Sequence, residues 1–120
     1  MPELAKPKAI TLSEIRDLLG AEVLSGEDLS VQVEQVGAAD LMSDVLALSK
    51  PGMLLLTGLI STQVIRTAVV ADLCGVVFVR GKKPDREIIA LAREAQIPVF
   101  VTALTMFEAA GLLYAAISDR

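Results

Sequence analysis

Three times between Met53 and Ile117 the chain repeats one phrase: a short apolar strand, a brief polar junction, then a helix. The strands Leu54-Leu55-Leu56, Val77-Phe78-Val79 and Val99-Phe100-Val101 run into the junctions Thr57-Gly58, Arg80-Gly81 and Thr102-Ala103. Thr57 and Arg80 are 23 residues apart, and Arg80 and Thr102 are 22 apart. Consecutive βα units impose parallel strands, so all three junctions gather at one edge of one sheet. Open α/β sheets usually bind their ligands at that edge.

The rest of the chain bounds the chemistry. At 120 residues it suits one domain with one core. Residues 1–10 hold Pro2, Pro7 and two lysines without periodicity, which predicts a flexible lead-in to a single domain over 11–120. Hydrophobic residues make up 53% of the chain and aromatics 3%, so Ala, Val, Leu and Ile must build the core. This apolar share exceeds that of an average soluble domain and implies a face buried by a partner. No apolar run approaches the roughly 18–20 residues of a membrane span. The start lacks a basic segment followed by an apolar signal core, which leaves the cytoplasm as the expected location. A net charge of −4 opposes binding to nucleic acid or anionic lipid, which needs a basic face. With no histidine and a single cysteine, Cys/His zinc sites and His-based catalysis are excluded within one chain. Cys74 closes an apolar helical stretch and reads as a small buried hydrophobe.

Local signals place the elements. Thr11-Leu12-Ser13-Glu14 fits a capping box that opens a short helix, with Gly20 as its stop. Ala21 to Leu24 suits a strand, and Val31 to Val36 alternates like an exposed or edge strand. Asp40 is expected to cap a helix carrying Leu41, Val45, Leu46 and Leu48. Ser61 or Thr62 caps the next helix, predicted to run to about Cys74 and to end at Gly75. Pro84 suits the first turn of the following helix, where its missing N–H costs nothing. The last helix opens with a second capping box, Thr105 to Glu108, and then carries no charge from Ala109 to Ile117. A helix apolar all round must be covered on both sides. The sheet covers one side, and either the N-terminal segments or a second copy of the chain covers the other. A homodimer is the expected solution.

At the shared edge the junctions offer Thr57, Gly58, Ser61, Arg80, Gly81, Lys82 and Thr105 as ligand-binding candidates, with Thr62, Lys83 and Thr102 nearby. Hydroxyls, glycines and cations beside helix N-termini make an anion or phosphate cradle. The same residues also have plain roles, Ser61 and Thr105 as N-caps and the lysines as solvated charges. No Walker loop or G-x-G-x-x-G occurs. Asp40 and Asp44, four apart, would share a helix face and could hold a divalent cation, although a cap is the expected role for Asp40. Arg66, one turn inside its helix, can reach back to an anion or pair with a local carboxylate.

The phrases Val36-Gly37-Ala38-Ala39-Asp40-Leu41-Met42-Ser43-Asp44-Val45, Lys50-Pro51-Gly52, Arg80-Gly81-Lys82-Lys83-Pro84-Asp85 and Ile97-Pro98-Val99 resemble those of a DRTGG domain. The resemblance runs from Ile10 nearly to the end, and is strongest to short stand-alone members encoded beside iron-only hydrogenase and sensor-kinase-like genes. It extends remotely to the N-terminal domains of HPr kinase/phosphorylase and of Mur ligases. It implies a three-layer α/β/α fold with a mixed, mostly parallel sheet. Arg80-Gly81-Lys82 stands where the family often has Thr-Gly-Gly, and Gly58-Leu59-Ile60 where many members have Gly-Asp-Arg. Such a domain implies regulation rather than catalysis. The expectation is therefore a non-catalytic, homodimeric sensor of a nucleotide or phosphometabolite, without cofactor or metal. The alternative is a protein-interaction or scaffold subunit acting as a homodimer with no small-molecule ligand, and a hydrogenase- or kinase-related protein is a further expected partner.

Overall fold

A computed structural model describes residues 8–118. The elements in chain order are β1 (Ile10–Thr11), α1 (Leu12–Leu19), β2 (Glu22–Ser25), β3 (Gln32–Val33), β4 (Val36–Ala38) and α2 (Met42–Leu48). There follow β5 (Leu54–Thr57), α3 (Thr62–Val70), β6 (Gly75–Phe78), α4 (Arg86–Ala95), β7 (Val99–Val101) and α5 (Met106–Ile117). The main sheet has the order β2-β7-β6-β5-β4. Its last four strands are mutually parallel, and β2 adds to β7 antiparallel.

Strand alternation sorts the core into two layers. Leu55, Val76, Phe78, Val99 and Val101 meet α2, α3 and α4 through Met42, Val45, Val64, Ile65, Ala68, Ile88 and Ala92. Leu54, Leu56, Val77 and Phe100 meet α1 and α5 on the other face through Leu12, Ile15, Leu19, Ala109 and Leu113. Every residue of β5, β6 and β7 is buried, as strands covered on both faces require. The fold is the expected three-layer α/β/α sandwich with a mixed, mostly parallel sheet.

Both capping boxes form, at Thr11 with Glu14 and at Thr105 with Glu108, and Gly20 ends α1 in the left-handed conformation. Four local readings change. Ile10, assigned to the expected lead-in, is buried in β1; residues 1–7 of that lead-in lie outside the described ones. The stretch Val31 to Val36 supplies two strands rather than one. Gln32–Val33 pairs antiparallel with β1, burying Val33 among the α1 and α5 side chains, and Val36 opens β4 at the edge of the main sheet. Helix α3 stops at Val70, and Gly75 begins β6. A Cβ on Gly75 would stand 3.2 Å from the Pro98 carbonyl oxygen, so the close approach of backbones calls for glycine there. Pro84 precedes α4, whose N-cap is Asp85, accepting the Ile88 N–H at 3.1 Å.

Helix α5 is only partly covered. Ala109 and Leu113 are buried, and α1 packs beside the helix, so the N-terminal segments cover one flank. Phe107 remains 87% exposed and Tyr114 59%.

Candidate functional site

Parallel pairing of β4 through β7 brings the expected junctions to one edge, and hydrogen bonds tie them together. Thr57 ends β5 fully buried, and its carbonyl accepts the N–H of Val79 at 3.1 Å. Arg80 and Gly81 both take left-handed backbone angles, φ +63° and +67°. The turn lets their N–H groups donate to the carbonyls of Leu104 and Thr102, each at 2.7 Å. A left-handed non-glycine residue costs roughly 1–2 kcal/mol, offset at Arg80 by that bond.

These bonds lie where a crevice is expected. The connection leaving β6 runs to α4 on one face, whereas the connection leaving β7 runs to α5 on the other. Loops that diverge from neighbouring strands open the usual ligand crevice of such sheets. Here the two loops are joined by their own backbone. Gly81 lies close enough to the third junction that a Cβ on it would sit 3.9 Å from Ala103 Cα.

At the first junction the partner is a residue the sequence reading assigned elsewhere. Asp40 does not cap α2; Leu41 occupies the N-cap position and makes no side-chain bond. Asp40 Oδ1 instead accepts the Gly58 N–H at 2.7 Å and the Thr57 hydroxyl at 3.3 Å. Thr57 Oγ1 in turn accepts the Leu59 N–H at 3.2 Å. The capping pattern before α2 hid this role, because nothing local in the sequence shows that the ends of β4 and β5 are neighbours.

The candidate residues thus divide. Ser61 Oγ accepts the Gln63 N–H at 3.1 Å as the N-cap of α3. Thr105 caps α5, and the Thr105 backbone N–H, seconded by its side chain, holds the Glu108 carboxyl below the usual carboxylate range. Thr102 is buried, donating to the Leu19 carbonyl at 2.7 Å. Lys83 pairs with Glu22 at 3.2 Å, and both partners are exposed. The side chains of Arg80, Lys82 and Arg66 are exposed and make no ion pair or hydrogen bond among the described residues.

Arg80 has a defined place. Its Nη2 stands 2.7 Å from where a Gly58 Cβ would be, and Asp40 Oδ1 stands 3.4 Å from the same point. The guanidinium therefore lies over the Gly58 backbone, beside Asp40 but not ion-paired with it. The N–H groups of Ile60 and Ser61, on the next stretch of chain, have no partner among the described residues. The arrangement puts one exposed cation, open amides and the N-terminus of a nine-residue helix within one junction. It holds no nucleophile paired with a base. Asp40 and Asp44 belong to no cluster of three or more His, Cys, Asp or Glu among the described residues.

A cleft of about 840 Å³ lies at the opposite edge, lined by Val23, Ser25, Asp28, Cys74, Arg93 and Pro98 among others. Ser25 is 5% exposed, and its hydroxyl bonds to none of the described residues. Arg93 Nη2 donates to the Leu24 carbonyl at 3.2 Å. Burial pushes the Cys74 thiol up to about 11, against a smaller lowering by a hydrogen bond from its own backbone. Sequence reading missed this cleft, since the β2–β7 pairing that forms its wall joins segments distant in the chain.

Comparison with known proteins agrees with this architecture. The sequence model of the DRTGG domain family matches residues 14–116. No curated protein sequence matches the chain. A similar solved structure contains the CBS and DRTGG domains of the regulatory region of a Clostridium perfringens pyrophosphatase, in complex with the activator diadenosine tetraphosphate. It superposes with a TM-score of 0.75 at 22% identity, over 90% of this chain and 47% of that one. The chain thus spans about half the length of that regulatory-region chain. Among the described residues, no helix is long and apolar enough to cross a membrane.

Proposed function

This chain belongs to the DRTGG domain family, and from that premise we propose that it is a non-catalytic regulatory domain sensing a phosphate-bearing ligand, such as a nucleotide. The site proposed is the C-terminal edge of the parallel strands. The observation that carries the reading is Arg80, a cation without an ion pair among the described residues, laid over Gly58 in the junction between β5 and α3. Lys82 adds an exposed charge, and Thr57, Gly58 and Ser61 shape the junction. Gly81 and Thr105 act indirectly, since their groups are spent on Thr102 and Glu108. A nucleotide ligand is supported by analogy, because the regulatory region of the related pyrophosphatase binds diadenosine tetraphosphate. Thermal-shift titration with ATP and other phosphometabolites tests the proposal, since a ligand bound to the folded state raises Tm by mass action. Arg80→Ala should weaken binding about tenfold, equivalent to ~1.4 kcal/mol. Absence of any shift at millimolar ligand refutes the sensing role.

A second reading rests on α5. Phe107, Leu112, Tyr114 and the small residues Gly111 and Ala115 expose an apolar face, which suits a homodimer without a small ligand. Sedimentation velocity showing a monomer at tens of micromolar would count against it.

A further inference from the structure

Asp40 is the one carboxylate at the first junction's donors, and its position bears on which ligands that junction admits. Its Oδ1 takes the Gly58 N–H at 2.7 Å and the Thr57 hydroxyl at 3.3 Å. Donors of this kind, a strand-end amide and a hydroxyl, are those that hold phosphate oxygens in other sheet-edge sites. The group bound there is itself an anion. We infer that Asp40 is an internal occupant of the anion position, setting the affinity of the site by competing with the phosphate of an incoming ligand.

Three observations support competition rather than a purely structural brace. Asp40 is exposed, and its carboxylate makes no ion pair among the described residues, so the Arg80 charge beside it is unspent. The carboxylate does not cap α2, so its release leaves that helix's N-terminus as it is. Gly58 lacks the Cβ that would fill the space between the Arg80 guanidinium and Asp40, leaving these opposite charges facing one cradle. An anion drawn by Arg80 to this point meets the Asp40 charge and must displace it, whereas a neutral ligand meets no such repulsion. Asp40 is therefore a specificity-setting residue that raises the threshold for anions.

The inference rests on the site proposed above, and one titration series separates the two. Inorganic tripolyphosphate is titrated calorimetrically into the wild-type chain and into the Asp40→Asn, Asp40→Ala and Arg80→Ala variants, each checked by its thermal melt. Asp40→Asn keeps an oxygen acceptor for Gly58 and preserves the fold if Asp40→Ala does not. Competition predicts that Asp40→Asn binds tripolyphosphate about tenfold more tightly than wild type, in the usual range of coupling between sites. Arg80→Ala binds it more weakly. Unchanged or weaker binding by Asp40→Asn, with Arg80→Ala still impaired, overturns the competition and leaves the site standing. No binding by any folded variant overturns both.

Discussion

The two edges of one sheet are built in opposite ways. At the C-terminal edge nearly every polar group is satisfied from within: Asp40 takes Gly58 and Thr57, Leu104 and Thr102 take Arg80 and Gly81, and Leu19 takes Thr102. What remains there is the open amides of Ile60 and Ser61 and the charge on Arg80 and Lys82. At the N-terminal edge a cleft opens around Ser25 and Cys74, with a Ser25 hydroxyl that bonds to no described residue. The cleft and the unpaired cations Arg80 and Lys82 therefore occupy opposite edges of the described fold. The usual crevice of an open sheet closes here because its two loops bond to one another, and the cleft arises where β2 runs antiparallel beside β7.

Three measurements probe this contrast. The largest effect belongs to Thr102→Val, which keeps the shape and removes the hydroxyl. The Leu19 carbonyl and Leu104 N–H lose a partner, and unfolding free energy should fall by about 1–3 kcal/mol in urea titration. A loss near zero would show that the C-terminal edge is not held by its internal bonds. The next concerns the cleft-lining thiol. Burial raises Cys74 from an ordinary 9.0 to about 11, so between these values the folded chain keeps a proton that the unfolded chain releases. Stability should therefore fall as pH rises from 9 to 11, and Cys74→Ala should lose that part of the slope. Identical pH profiles for the two proteins would place the thiol in water. The smallest effect is expected for Ser25→Ala, because no described residue loses a hydrogen bond. A change within about 0.5 kcal/mol fits, and a loss comparable to Thr102→Val would reveal a partner for that hydroxyl.

The two helical layers explain how much was legible beforehand. In α4, Ile88 and Ala92 are buried, while Arg86, Glu87, Arg93 and Glu94 are exposed, and periodicity alone reveals such a helix. In α5 the apolar run has no such phase, and only packing against α1 and the sheet selects Ala109 and Leu113 for burial. Boundaries failed where tertiary contact overrides a local signal. Gly75 looks like a helix stop, yet it serves a close approach to Pro98 within the sheet. Asp40 looks like a cap, and is instead drawn to the amide at the end of the neighbouring strand.

Local pattern along the chain is enough for the three-beat βα repeat, the capping boxes, the parallel core and the gathering of Thr57, Arg80 and Thr102 at one edge. These follow from periodicity and from the handedness of crossovers, which act over a few tens of residues. Tertiary structure alone decided that the crevice at that edge is closed, that Arg80 reaches back over Gly58, and that Asp40 occupies the junction. Each of these depends on which strand ends become neighbours and on angstrom-scale approach between them. Hydrogen bonds and close contacts are decided at that range, and no spacing along the chain encodes it.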